Sequence, residues 1–143
     1  MDLPDVNILV YAFRADLEHH AVSYAWLTRA IHGDTQFGIS PLTLSAVVRI
    51  TTNARVFTRP STHDEVFGFC QGLMDQPNCR LIEPGERHWP IFRRLCIETN
   101  ITGPKVSDVW YAALAIEHGC EWITMDRDFA RIRGLKSRSP ESP

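Results

Sequence analysis

The sequence lacks long apolar runs and has few cysteines, and both shortages narrow what the chain can be. No stretch approaches the roughly 20 apolar residues that a membrane-spanning helix needs, and acidic residues within the first apolar stretch are untypical of a signal peptide. The four cysteines are widely spaced and form no Cys-x-x-Cys pair, which argues against a zinc site. Their apolar surroundings favour reduced core thiols and a cytoplasmic location.

An excess of charge of one sign is also missing. With 15 basic and 17 acidic residues, the net charge of -2 argues neither for nor against a nucleic-acid partner. The length of 143 residues and the 44% hydrophobic content predict a single globular domain with its own core. The sequence ends in a stretch rich in serine and proline, so we expect a domain over residues 1–136 and a polar tail over residues 137–143.

Strand and helix patterns alternate along the whole chain. Short apolar runs predict strands at 3–5, 35–39, 80–82 and 120–125, with an edge strand at 135–137. Helical patterns extend over 8–15, 18–32, 41–52, 61–74, 86–99 and 106–118, with a last turn at 128–132. Alternation of this kind predicts an α/β fold with a mostly parallel sheet and helices on both faces. In such folds, ligands bind at the carboxyl ends of the strands.

Three acidic clusters lie at or near these expected strand ends. Asp5 ends the first strand, Asp108 lies in the first turn of the helix from residue 106, and Asp126 and Asp128 follow the fourth strand. Like charges held close together raise each other's pKa or require a counter-ion. Mg²⁺ and Mn²⁺ prefer oxygen ligands. The recurrence therefore predicts a divalent-metal site that acts on phosphate.

Each cluster alone also has a simpler explanation. Asp5 is a good helix cap, and a carboxylate in a first turn, like that of Asp108, is stabilised by the helix dipole. The turn from Asp126 to Asp128 is compatible with solvated surface ion pairs that contribute little. Small residues at helical spacing after Asp108 (Ala112 and Ala115) favour a close approach of this helix to the sheet. Together, the clusters favour a common site.

Four sequence blocks in this order resemble PIN-domain ribonucleases, and among them the VapC toxins of type II toxin–antitoxin pairs. The blocks are PDVNILVYA at residues 4–12, a segment at 45–57 that ends in TTNARVF, SDVWYAALA at 107–115, and TMDRDF at 124–129. The resemblance covers nearly the whole chain. It implies a three-layer α/β/α sandwich with a mostly parallel sheet of about five strands.

The resemblance also implies an endoribonuclease that depends on Mg²⁺ or Mn²⁺ and leaves 5′-phosphate and 3′-hydroxyl ends. It implies that Asp5, Asp108 and Asp126 are catalytic and bind the metal, with Asp128 as a further metal ligand. Asn7 and Thr124 match polar residues that order the pocket. The implied partners are RNA, a second copy of the chain in a homodimer, and a VapB-type antitoxin in a heterotetramer or larger assembly.

One position departs from the family pattern. The family commonly has a glutamate on the helix after the second strand, and the equivalent residue here is Ala46. No acidic residue occurs between Asp34 and Asp64. This departure leaves open whether the pocket binds one metal ion or two. It also keeps an alternative function open, namely a PIN-like RNA- or protein-binding module with impaired catalysis.

Cations must hold the RNA if the chain cleaves it. Lys105 and Arg127 flank the acidic clusters in the sequence and are the first candidates, together with Arg49. Further candidates are Arg14, Arg55 and Arg59, for which a solvated surface role is the simpler explanation. The apolar sides of 21–27 and 47–50 are candidate surfaces for the second copy or the antitoxin.

Overall fold

The computed structural model describes residues 1–141 and contains a five-stranded sheet in which every pairing is parallel. The strand order is β3-β2-β1-β4-β5. The strands are β1 (Asp2–Pro4), β2 (Phe37–Ile39), β3 (Cys79–Leu81), β4 (Glu121–Ile123) and β5 (Ser137–Arg138). The predicted α/β class with a parallel sheet of five strands is confirmed.

Within the described residues, six α-helices surround the sheet, close to their predicted positions. They are α1 (Val6–Phe13), α2 (His20–His32), α3 (Pro41–Thr51), α4 (His63–Met74), α5 (His88–Thr99) and α6 (Val106–Glu117). Short 3-10 turns cover Gly103–Lys105 and Arg127–Arg131. Thr62 and Glu65 form a capping box that fixes the start of α4. No helix within residues 1–141 is long and apolar enough to cross a membrane.

The helices form two layers, one on each face of the sheet. One hydrophobic cluster joins α1, α2, α3 and α4 to the sheet, and Ile123 of β4 belongs to it. A second cluster joins α5 and α6 to the sheet, and Trp122 of β4 belongs to that one. Because neighbouring strand residues point to opposite faces, this division gives the three-layer α/β/α sandwich that was predicted. Three of the four cysteines are buried and all four are free thiols.

The chain reverses its winding direction between β1, the central strand, and its neighbour β4. The connections from β1 to β3 pass through α1–α4 on one face, and the connection from β3 to β4 passes through α5 and α6 on the other. The neighbours β1 and β4 therefore form a topological switch point, where ligands bind in open α/β sheets. Pro4 pairs with Ile123 there, and the backbone N–H of Asp5 donates to the Ile123 carbonyl at 2.8 Å.

The edge strand near the C-terminus of the chain differs from its predicted position. The edge strand lies at Ser137–Arg138, later than the expected 135–137, and pairs with β4. The Arg138 guanidinium contacts the carboxylates of Asp2 at 2.6 Å and Glu121 at 3.2 Å. These ion pairs hold the strand against the sheet, so the first two residues of the predicted tail belong to it. The last two, 142 and 143, lie outside the described residues.

Candidate active site

Asp5 lies at the switch point, where β1 passes into α1. Its side chain is only 6% exposed. One carboxylate oxygen accepts a hydrogen bond from the backbone N–H of Val6 at 2.6 Å, so Asp5 caps α1. The other oxygen accepts from the Thr124 hydroxyl at 2.7 Å. The helix-cap explanation is therefore correct, and it leaves the carboxylate fixed at the end of the central strand.

Burial raises the pKa of Asp5 to about 6. The hydrogen bonds from Thr124 and Val6 oppose this rise, while the nearby carboxylates of Asp108 and Asp126 add to it. No ion pair neutralises Asp5 within the described chain. The group is thus a buried carboxylate that faces other carboxylates, which is the arrangement expected where a cation is bound.

Thr124 links the carboxyl ends of β1 and β4. Its hydroxyl donates to Asp5 and accepts the backbone N–H of Asp126 at 3.0 Å. Asp126 itself is exposed, and its carboxylate accepts the N–H of Asp128 at 2.9 Å. The Asn7 amide nitrogen lies 3.4 Å from Asp5 Oδ2. Thr124 thus makes the contacts that a pocket-ordering role requires, and Asn7 makes a longer one.

Asp108 lies in the first turn of α6 and is half-buried. Burial raises its pKa, the charges of Asp126 and Asp128 raise it further, and Lys105 opposes the rise. Among residues 1–141, its carboxylate has no hydrogen-bond or ion-pair partner. Asp108 shares a cavity of about 520 Å³ with Asp5. It is therefore the carboxylate with the greatest freedom to contact a ligand.

Asp128 differs from the other carboxylates because a cation already holds it. Its oxygen lies 2.8 Å from Lys105 Nζ, and both side chains are exposed. This ion pair lowers the pKa of Asp128. Asp128 would have to release Lys105 before it could contribute to a metal site, so we treat it as an accessory group.

Ala46 lines the same cavity as Asp5 and Asp108. The residue that we match to the family's common glutamate therefore faces the site, and Ser45 lies beside it. Neither side chain can supply a carboxylate. The departure from the family pattern leaves this wall of the cavity without a carboxylate.

The carboxylates fit a magnesium or manganese site in their chemistry. Their donor atoms are all oxygens. Two of the carboxylates, Asp5 and Asp108, have raised pKa values, which a bound cation would lower. Within residues 1–141, no three acidic, histidine or cysteine side chains stand together as a complete ligand set. Mg²⁺ usually keeps several water ligands and binds one or two carboxylates, so the shared cavity of Asp5 and Asp108 meets that requirement.

The cations of the site were only partly predicted. Arg49 lines the cavity with Asp5 and Asp108, and Lys105 lines a second cavity, of about 610 Å³, that also reaches Asp108. Arg131 and Arg133 line this second cavity and were not predicted. Arg127 is exposed and lines neither of the two. The clustering of arginine in the sequence around residues 127–133 was the signal that could have identified them.

Another candidate cation has a structural role. The Arg14 guanidinium contacts Asp16, the Arg59 carbonyl and the Ser61 hydroxyl, and lies over the ring of Phe57. Its side chain is only 11% exposed, so it packs in the fold and offers little to RNA. Likewise, Val47 is fully buried in the core, which removes it from the predicted docking surface at 47–50.

Comparisons with known proteins agree with this architecture. A family model described as PIN domain matches residues 3–135. The chain is similar to ribonuclease VapC43 of Mycobacterium tuberculosis, with 39% identity over 95% of this chain and 92% of that protein. It is also similar to ribonuclease VapC25 of the same organism, with 35% identity over 98% and 99% of the two chains.

Solved structures share the fold at low sequence identity. VapBC2 from Rickettsia felis, bound to a DNA fragment from their promoter, matches with a TM-score of 0.68 and 16% identity over 96% of each chain. VapC20 of Mycobacterium tuberculosis, a toxin that cleaves the Sarcin-Ricin loop, matches with a TM-score of 0.65 and 11% identity, covering 95% of this chain and 99% of that one. The chain belongs to the PIN-domain family and, within it, to the VapC ribonucleases.

Proposed function

We propose that this chain is the toxin of a type II toxin–antitoxin pair and cleaves RNA as a divalent-metal-dependent endoribonuclease. The observation that carries the proposal is the shared cavity of Asp5 and Asp108, in which neither carboxylate has an ion-pair partner among residues 1–141. The ribonucleases VapC43 and VapC25, which match over nearly the whole chain, support the same reaction. We place the activity in the cytoplasm, where RNA substrates are present.

Asp5, Asp108 and Asp126 are the residues that would hold Mg²⁺ or Mn²⁺, with Asp128 as an accessory ligand. When bound, such an ion activates water as a nucleophile and offsets charge that develops on the phosphate. Thr124 and the Val6 N–H keep Asp5 in place for this purpose. Asn7 assists from the first turn of α1.

Asp108 is the best candidate to orient the attacking water. Its carboxylate oxygens make no hydrogen bond to other described residues, and they open on both cavities. Burial and neighbouring carboxylates raise its pKa toward neutral pH, and a base with such a pKa accepts a proton from water more effectively. Asp5, with both oxygens hydrogen-bonded, is better suited to a fixed ligand role.

The RNA backbone would contact the cations around the two cavities. Arg49 lies on one side of Asp108, and Lys105, Arg131 and Arg133 lie on the other. Electrostatic contact with phosphates supplies most of the sequence-independent affinity for nucleic acid. A strand that passes over Asp108 would meet cations on both sides of the cleaved bond. Arg127 is exposed beside this path and remains a candidate.

A VapB-type antitoxin is the proposed protein partner. VapBC complexes are among the proteins that share this fold. An arginine from the antitoxin would suit a pocket of unpaired carboxylates. Exposed large apolar side chains, among them Tyr24, Phe67, Trp89 and Ile97, offer surface for the antitoxin or for a homodimer. With both contacts, the assembly would be a heterotetramer or larger.

Substitution of Asp108 tests the function directly. We expect Asp108→Asn to reduce the cleavage rate of total RNA in Mg²⁺ by about 100-fold or more, because the charge that orients water is lost. Asp34→Asn, which removes the same charge from an exposed position away from the site, should cleave like the natural chain. A rate for Asp108→Asn equal to that of the natural chain would overturn the assignment.

The same experiment tests the alternative of a binding module with impaired catalysis. In that case neither the natural chain nor Asp34→Asn would cleave RNA, although RNA or an antitoxin would still bind. The alternative rests on Ala46 alone. Two carboxylates with raised pKa values face the same cavity, and the catalytic function is therefore the better supported of the two.

A further inference from the structure

The cavity that contains Asp5 and Asp108 has an aromatic wall with no part in the chemistry described so far. Phe92 from α5 and Trp110 and Tyr111 from α6 line it. All three side chains are half-buried, so each ring is anchored in the protein and still reaches the cavity. A wall of this kind beside a phosphate-cleaving centre is chemically suited to the flat face of a nucleobase.

The core holds this wall in place before any ligand arrives. His88 is 3% exposed, and its Nε2 makes a 3.0 Å hydrogen bond with the Trp110 carbonyl oxygen. The rings of His88 and Trp110 are 4.7 Å apart. Tyr111 stacks on the fully buried Trp122, with ring centroids 5.5 Å apart and planes 25° from parallel. A binding surface that is already ordered loses little entropy when a ligand binds.

The wall contributed by α3 has small side chains in its middle, between Leu42 and Arg49. Ser45 and Ala46 line it. A glutamate at position 46 would occupy part of the cavity and place another negative charge near Asp5. The alanine therefore has a consequence besides the loss of a ligand, because it provides uncharged space between the carboxylates and the rim.

Arg49 supplies a positive charge at the same cavity. It lies one helical turn beyond Ala46 on α3 and is exposed at the cavity rim. Arg49 and Tyr111 line the same cavity, and the Arg49 charge opposes the rise that burial causes in the pKa of Tyr111. An aromatic surface and a guanidinium at one cavity are complementary to a base and to the phosphate attached to it.

We propose that this cavity is a nucleotide subsite, in which one base of the RNA strand stacks on Trp110 while Arg49 binds the phosphate of the same nucleotide. The inference rests on the proposed ribonuclease function and adds to it where the strand lies next to the cleaved bond. Single-stranded RNA is commonly bound by stacking of its bases on aromatic side chains. Stacking accepts any base, because every base has a π-face. The subsite therefore positions the strand without specifying its sequence.

Two small ligands separate the base from the phosphate. We would titrate adenosine 5′-monophosphate and ribose 5-phosphate into the ¹⁵N-labelled full chain in EDTA, and follow the indole N–H signals of the four tryptophans by NMR. The mononucleotide should bind with a Kd at least about fivefold lower, since stacking on an aromatic ring contributes that much or more. It should shift the Trp110 signal most strongly.

Matched variants assign the two contacts. Trp110→Leu should remove the difference between the two ligands, whereas Phe67→Leu should keep it, because Phe67 is 56% exposed on α4 and does not line the cavity. Arg49→Met should raise the Kd of both ligands by the same factor. Arg55→Met removes an equal charge from an exposed loop and should leave both values unchanged. The comparison on the natural chain needs no variant, so it stays decisive even where Trp110→Leu weakens the fold.

Equal Kd values for the two ligands would overturn the subsite, as would an equal response of Trp110 and of Trp26, which lies on the other face of the sheet. A cavity reserved for a side chain of a protein partner would bind neither ligand, which also overturns it. Failure of the subsite together with RNA cleavage that depends on Asp108 would leave the ribonuclease function intact. Selective binding of the mononucleotide without any cleavage of RNA would support the subsite and contradict the ribonuclease function.

Discussion

A buried carboxylate lies beside each end of α6, and the two are in opposite electrostatic situations. At its first turn, Asp108 faces Asp5, which is 6% exposed and has its pKa raised to about 6 by burial and by neighbouring carboxylates. At its last turn, Glu117 is 8% exposed. Burial opposes ionisation there too, yet hydrogen bonds from the backbone N–H groups of Gly85 and Arg87 lower the pKa of Glu117.

The number of hydrogen bonds does not explain the difference, because Asp5 and Glu117 each accept two short ones. At Asp5, burial outweighs the hydrogen bonds and the like charges of Asp108 and Asp126 add to the rise of its pKa. At Glu117, the backbone hydrogen bonds and the neighbouring histidines outweigh burial, and no carboxylate opposes them. The Arg87 side chain donates to the Glu117 carbonyl, and His118 lies 3.3 Å from the Glu117 carboxylate. Asp5 instead faces Asp108 and Asp126. A buried carboxylate held by N–H donors supports the fold, whereas one among like charges needs a proton or a metal ion.

Two isosteric substitutions should separate these roles most strongly. Asp5→Asn should reduce RNA cleavage by about 100-fold or more while the free energy of unfolding stays equal or rises. Charge repulsion is relieved, and the Thr124 hydroxyl, unlike a backbone N–H, can accept a hydrogen bond from the new amide. Glu117→Gln should lower the free energy of unfolding by about 2 kcal/mol, because an amide cannot accept both backbone hydrogen bonds. Its cleavage rate should stay that of the natural chain. Urea unfolding and a cleavage assay on the same preparations measure both effects.

Glu86→Gln is the control for this comparison, because Glu86 is exposed in the loop that Glu117 anchors. Glu86→Gln should change neither the free energy of unfolding nor the cleavage rate. If Glu117→Gln lost cleavage as severely as Asp5→Asn at full folding, the division into a structural and a functional carboxylate would be wrong.

Metal addition should stabilise the folded chain only where Asp5 is intact. A ligand at ten times its Kd stabilises the folded state by about 1.4 kcal/mol. Mg²⁺ should therefore raise the melting temperature of the natural chain and of Glu117→Gln by a few degrees. Asp5→Asn should show no such rise, and EDTA should reverse it in the other two. A similar rise in all three proteins would place the ion elsewhere.

The pH dependence of stability should also differ between the two carboxylates. With its pKa raised to about 6, Asp5 holds more protons in the folded than in the unfolded state, so its contribution grows as the pH falls from 7 to 5. That gain is about 1 kcal/mol in EDTA. Glu117, with a lowered pKa, contributes fully in this window and loses its contribution only as the pH falls through its folded pKa.

The difference between the natural chain and Asp5→Asn isolates the contribution of Asp5, because all other titrating groups are shared. Urea unfolding at several pH values should show this difference shrinking from pH 7 to pH 5. A constant difference would mean that Asp5 titrates in its ordinary range.

The sequence predicts the acidic site better than it predicts its surroundings. Asp5 and Asp126 could be placed together because parallel strands bring their carboxyl ends to one edge, and the order of the blocks identified the fold. The role of Glu117 could not be predicted, because its partners lie in a loop about 30 residues away. The edge strand was predicted at 135–137 and lies at Ser137–Arg138, where ion pairs to Asp2 and Glu121 that no apolar pattern shows help to hold it.

The smallest effect is expected at the ion pair between Asp128 and Lys105. Both side chains are exposed, and solvated ion pairs contribute little to folding, so Asp128→Asn should leave urea unfolding unchanged. Cleavage should fall far less than in Asp5→Asn, because Asp128 is held by a cation and the substitution frees Lys105 for a phosphate. Lys105→Met should instead reduce the salt dependence of RNA binding by about one unit of slope. A loss of cleavage in Asp128→Asn as large as that in Asp5→Asn would make Asp128 a required ligand and move it to the functional side of the comparison.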